Sequence, residues 1–79
     1  MSQNDIGRIA NHIRQLRESK NYSQEYMAAK MRMSQNSYSK IELNYSKLTV
    51  DRLIQIARLL DTDPGSLIAV CEYEEEQAA

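Results

Sequence analysis

Three observations predict an all-α chain, a compact bundle of about five helices. The 79 residues include only two glycines and one proline, too few breaks for a turn-rich β fold. Apolar residues recur at helical rather than alternating spacing along most of the chain. Residues that favour helix starts (Ser23, Ser34, Thr49 and the Asp63-Pro64 pair) divide that pattern into segments of helical length.

The first helix is expected from Asn4 or Asp5, either of which can cap, to about Lys20. Ile6, Ile9, Ala10, Ile13 and Leu16 follow the i, i+3, i+4, i+7 rule and form its buried stripe. Arg8, His12, Arg14 and Glu18 lie off that stripe. Arg17 falls at its edge, where an uncompensated charge is costly. Asn21 and Tyr22 form the link, and Ser23 caps a second helix from Gln24 to about Met31, with Met27, Ala28 and Met31 inward. Met33 is an apolar joint, and Ser34 caps a third helix from Gln35 to about Leu43, with Tyr38 and Ile41 inward. Asn44 follows at a position where Asn tolerates a left-handed backbone almost as Gly does. Thr49 caps a fourth helix, with Asp51 in its positive first turn and Leu53, Ile56, Ala57 and Leu60 on its inner face. Asp61-Thr62 ends it. Pro64 suits the first turn of a fifth helix carrying Leu67, Ile68 and Val70. The domain is expected to occupy 1–71, with 72–79 a frayed acidic tail.

The size allows one small core and no second domain. With no Phe or Trp, the interior falls to Ile, Leu, Met and Tyr. No apolar run approaches the ~20 residues of a membrane span, and the amino terminus lacks the basic and apolar regions of a signal peptide. The single Cys71 excludes an intramolecular disulfide and contributes to no metal set. His12, the only histidine, has nothing to complete a catalytic constellation, and there is no Gly-rich phosphate loop. The expectation is a non-enzymatic cytoplasmic protein with no cofactor, no metal, no membrane partner and no small-molecule ligand domain. The net charge of −1 hides a division: residues 1–60 hold all ten basic groups against five acids, and 61–79 hold six acids. The modest basic excess of the bundle and the acidic terminus slightly favour a protein partner, with the terminus a solubilising tail or one that repels a polyanion or meets a partner's basic face.

The stretch Gln24–Asn44 organises the rest. It reads as two short amphipathic helices joined by a tight break. The second packs through Tyr38 and Ile41 and turns Gln35, Asn36, Ser37, Ser39 and Lys40 outward, which is the geometry of a helix-turn-helix. The chain resembles the Cro and phage-repressor helix-turn-helix class, the XRE family, from about Ile6 to Ile68. The likeness rests on the Gln opening each motif helix (Gln24 and Gln35), on Ala28 where they cross, and on Tyr38-Ser39-Lys40-Ile41-Glu42. Arg17 upstream and Ile56-Ala57-Arg58-Leu59-Leu60 downstream fit as well.

The resemblance implies a lambda-repressor-like DNA-binding domain that reads double-stranded DNA in the major groove as a transcriptional regulator. Its implied base contacts are Gln35, Asn36, Ser39 and Lys40; a Gln or Asn amide matches adenine and a Lys suits guanine. The implied phosphate contacts are Gln24, Ser37, the Tyr38 hydroxyl, Asn44, Tyr45, Ser46 and Lys47. Gln24 should also hydrogen-bond Gln35. Arg17 should pair with Glu42 and so set the angle of the recognition helix. Where the family usually has Gly in the turn this chain has Arg32, so the turn is either strained or built differently. A homodimer on a palindrome is expected, joined through Leu67, Ile68 and Val70. The competing expectation is a protein-interaction module of the same fold, an antitoxin or an antagonist of another regulator.

Overall fold

A computed structural model describes residues 3–45 and 47–78, with side-chain surroundings for 4–45 and 47–71. Ser46, one of the expected phosphate contacts, lies outside the described residues. Five helices follow in order: α1 Gln3–Ser19, α2 Gln24–Lys30, α3 Gln35–Glu42, α4 Val50–Leu59 and α5 Pro64–Ala78. Among the described residues there is no strand. The acidic segment expected to fray is helical as far as Ala78.

Each later helix begins where a side chain satisfies its free amides. Ser23 accepts from the Tyr26 amide, Ser34 from Ser37 and Thr49 from Arg52. Asp63 does the same for α5, its Oδ1 taking the Ser66 amide at 3.0 Å and its Oδ2 the Ser66 hydroxyl at 3.0 Å. That pair, helped by the Gly65 and Asp63 amides, holds the Asp63 carboxyl below its ordinary value.

The first four helices end in the same way. Asn21, Arg32, Asn44 and Asp61 all have positive φ, between 54° and 61°. In each case the next amide reaches five residues back: Tyr22 to Arg17, Met33 to Ala28, Tyr45 to Lys40 and Thr62 to Ala57. The left-handed residue itself reaches three back, to Glu18, Ala29, Ile41 and Arg58. These are Schellman caps, which Gly usually closes. Asn and Asp tolerate the left-handed backbone; Arg32 does not, and the turn it closes carries ~1–2 kcal/mol of strain. Of the two outcomes open at Arg32, the strained turn is the one found.

The core gathers Ile9, Ile13, Met27, Ala28, Met31, Tyr38, Ile41, Leu53, Ile56, Ala57, Leu60, Leu67 and Cys71. α1 packs on α3 and α5, α2 on α3 and α4, and α4 on α5. The Cys71 thiol donates to the Asp5 carbonyl at 3.4 Å and ties α5 to the start of α1. Leu67, expected at a dimer contact, is fully buried in this core. It offers nothing to a second copy, because the monomer's own interior already covers it.

Candidate nucleic-acid interface

α3 is two turns long, and its two faces differ sharply. Tyr38, Ile41 and Glu42 are buried. Gln35, Asn36, Ser37 and Lys40 are exposed, and Ser39 is half-buried. Four of the polar groups expected to face DNA therefore stand on the open side of one short helix. The Ser34 hydroxyl fixes where that helix begins, accepting the Ser37 amide at 3.0 Å and donating to the Ser37 hydroxyl at 2.9 Å.

A buried polar cluster anchors the closed side. Arg17 Nε donates to Glu42 Oε2 at 2.7 Å and Nη2 to Oε1 at 3.1 Å, a two-pronged pair between α1 and the last turn of α3. The Glu42 side chain is only 1% exposed and that of Arg17 10%. Arg17 Nη1 also donates to the Tyr22 carbonyl at 2.8 Å, so one guanidinium joins α1, the first link and α3. Burial alone would push the Glu42 carboxyl up, but hydrogen bonds from Arg17 and Gln24, with the Tyr38 hydroxyl nearby and the Arg17 charge, hold it below its ordinary value. The Glu42 hydrogen bond and charge outweigh desolvation and raise Arg17. Both groups stay ionised.

Two expected contacts are revised here. Gln24 does not bond Gln35; its amide donates to Glu42 Oε1 at 3.2 Å, because the carboxylate is the stronger acceptor and lies on the buried side of α3. Both amides open helices, and nothing in their spacing indicates which partner either takes. Tyr38 cannot reach a phosphate, since its whole side chain is buried. Its hydroxyl lies close to the Arg17–Glu42 pair, yet meets no hydrogen-bond partner of good geometry among the described residues. Burial, then the neighbouring carboxylate, pushes the phenol far above its ordinary value. The sequence reading of Tyr38 as a core residue stands; the phosphate role does not.

Beyond α3 the chain stays open to solvent. Leu43 is 54% exposed, Tyr45 78% and Val50 72%, and Lys47 is also exposed. Asn44 is half-buried, its amide nitrogen turned toward α1, where a β-carbon added to Gly7 would come within 3.6 Å of it. In α5, Ile68 and Val70 are half-buried and pack against the core. No described helix is long and apolar enough to cross a membrane.

No curated protein and no solved structure gives a significant match to the chain. A family model does: the one described as helix-turn-helix, HTH_3, matches residues 13–67, from the middle of α1 through the whole motif to the first turn of α5. That span includes Arg17, Gln24, the strained turn, Gln35 and Glu42, and the fold around it is all-α and lambda-repressor-like. The chain belongs to the HTH_3 helix-turn-helix family of XRE/Cro type, a family of DNA-binding regulators.

Proposed function

We propose that this DNA-binding regulator is sequence-specific and binds a palindromic operator as a homodimer, with α3 in the major groove. The observation that carries this reading is the two-sided α3. Its polar amino-terminal half is open, while its opposite face is clamped by Tyr38, Ile41 and the Arg17–Glu42–Gln24 cluster. A rigid helix with short polar side chains outward can enter a groove and present them to base edges. Gln35, Asn36, Ser39 and Lys40 take the base-reading role. Gln24, Ser37, Asn44, Tyr45 and Lys47 take backbone roles, the first from the amino end of α2. One module of this size covers little DNA, so useful affinity calls for two half-sites about one turn apart. Ile68 and Val70, with exposed Ala69, remain the α5 surface for pairing.

Selection of binding sites from random duplex DNA, with light scattering on the same protein, tests the proposal. A palindrome with half-sites one turn apart and a dimeric mass support it. Well-folded protein that enriches no site at low salt refutes it. The exposed Leu43, Tyr45 and Val50 favour a second reading, a protein-interaction module, since apolar groups at the edge of a DNA face gain little from phosphates. Steep loss of affinity with salt distinguishes the first from the second.

A further inference from the structure

The chain offers an internal comparison at its four Schellman caps. They share one backbone geometry, yet three are closed by Asn21, Asn44 and Asp61, side chains that tolerate a left-handed backbone, and one by Arg32. The exception is the turn inside the helix-turn-helix itself. Arg32 is exposed, and among the described residues its guanidinium makes no hydrogen bond or ion pair that would compensate the strain. Its neighbours fix its place closely. The Arg32 amide bonds Ala29 at 3.2 Å and the Met33 amide bonds Ala28 at 3.0 Å, Met33 packs against the core, and Ser34 then starts α3. The Arg32 backbone is thus fixed three residues ahead of Gln35, beside the amino end of α3, which on the proposed docking enters the groove past a flanking backbone phosphate. Strain kept at a single position without an internal partner points outward, to a ligand.

We infer that Arg32 is a DNA-phosphate contact, a binding residue outside the expected set. The inference rests on the proposed docking of α3. An Arg here carries a charge and a planar donor fork that Asn or Gly in the same cap would lack.

The test uses the full chain, the selected operator and an unrelated duplex, with affinities measured by fluorescence anisotropy across salt concentrations. Arg32→Asn keeps a residue suited to the left-handed turn and removes the charge; Arg32→Lys keeps the charge. The Asn variant should melt higher than the wild type and bind both duplexes more weakly by the same factor. Its loss of affinity between 50 and 200 mM salt should be about 3.5-fold smaller, the share of one phosphate. The Lys variant should keep the wild-type salt slope. Neutralising backbone phosphates one at a time as methylphosphonates should reveal one phosphate whose charge matters to the wild type and not to the Asn variant. An Asn variant with unchanged affinity and slope, or with a lower melting temperature, overturns the inference. A wild type that binds duplex strongly while no phosphate separates the two proteins overturns it while leaving the docking intact. Absence of salt-dependent binding by the wild type removes both.

Discussion

Breaking the Arg17–Glu42 pair from one side should cost far more than removing it altogether. Arg17→Met leaves a carboxylate that is 1% exposed with one remaining hydrogen bond, from Gln24 at 3.2 Å. Stranding a buried charge in this way costs about 3–5 kcal/mol. A domain of 79 residues has ~4–12 kcal/mol of stability in all, so the single variant should sit near its unfolding threshold. The double variant Arg17→Met/Glu42→Leu strands no charge and replaces the pair by apolar volume, at the smaller cost of the bonds to the half-buried Tyr22 carbonyl and Gln24 amide. It should match the wild type to within roughly 1 kcal/mol or exceed it.

The pH dependence supplies a second signature. The folded Glu42 carboxyl lies below its ordinary 4.5, so in the wild type its contribution is present above that value and is lost as pH falls through the folded one. In Arg17→Met, burial acts on the carboxyl without the guanidinium to oppose it and raises it above the unfolded value. The Glu42 contribution of that variant should therefore grow as pH falls, the reverse of the wild type, and the double variant should lack both contributions, keeping only the acid-side loss that Asp63 gives all three. Urea denaturation followed by far-UV circular dichroism between pH 3 and 7 measures all three. A single variant costing under about 1 kcal/mol, or a double variant costing the sum of the two singles, refutes the account of a buried, mutually dependent pair. If the pair sets the angle of α3, the double variant should also bind the operator more weakly despite its intact fold.

Three further outcomes are expected. Gln35→Ala should reduce discrimination between the selected operator and its single-base variants by about 1–3 kcal/mol if its contact is bidentate, and undiminished discrimination removes it from the base-reading set. Lys47→Ala should weaken all sequences alike and lower the salt slope by about one, so an unchanged slope strikes it from the phosphate contacts. Ser34→Ala removes the acceptor for the Ser37 amide and should cost about 1 kcal/mol, read from the denaturation midpoint at constant slope.

The parts legible in the sequence are those specified by neighbours along the chain. Ser23, Ser34 and Thr49 mark helix starts because a capping hydroxyl acts on an amide three residues away. Asn44 marks an end because its own backbone preference closes the turn. The extent of α5 is hard to read because a run of acids suggests a solvated tail, although Glu, Gln and Ala are good helix formers and the segment is helical to Ala78. Leu67 and Ile68 are adjacent apolar residues, and periodicity alone cannot say which faces the monomer's own interior; Leu67 does. The Arg17–Glu42 pairing spans 25 residues and follows from no spacing rule, only from likeness to a family. Gln24 shows the limit of that likeness, since its residue type suits either amide partner or carboxylate, and only the fold decides.

The remaining physical question is how a two-turn helix stays rigid while one face is left bare. An isolated helix of eight residues is unstable in water, because so few bonds cannot offset nucleation. α3 is fixed from outside itself at three places. Ser34 closes its amino end and Asn44 its carboxyl end. Between them Tyr38 and Ile41 are inserted into the core, and Glu42 is gripped by two other elements, α1 through Arg17 and α2 through Gln24. None of these restraints uses the side chain of Gln35, Asn36 or Lys40. Substitutions at these outward side chains should therefore leave the fold undisturbed, and if α3 reads DNA as proposed, a change of operator requires only new side chains on a face that carries no structural duty.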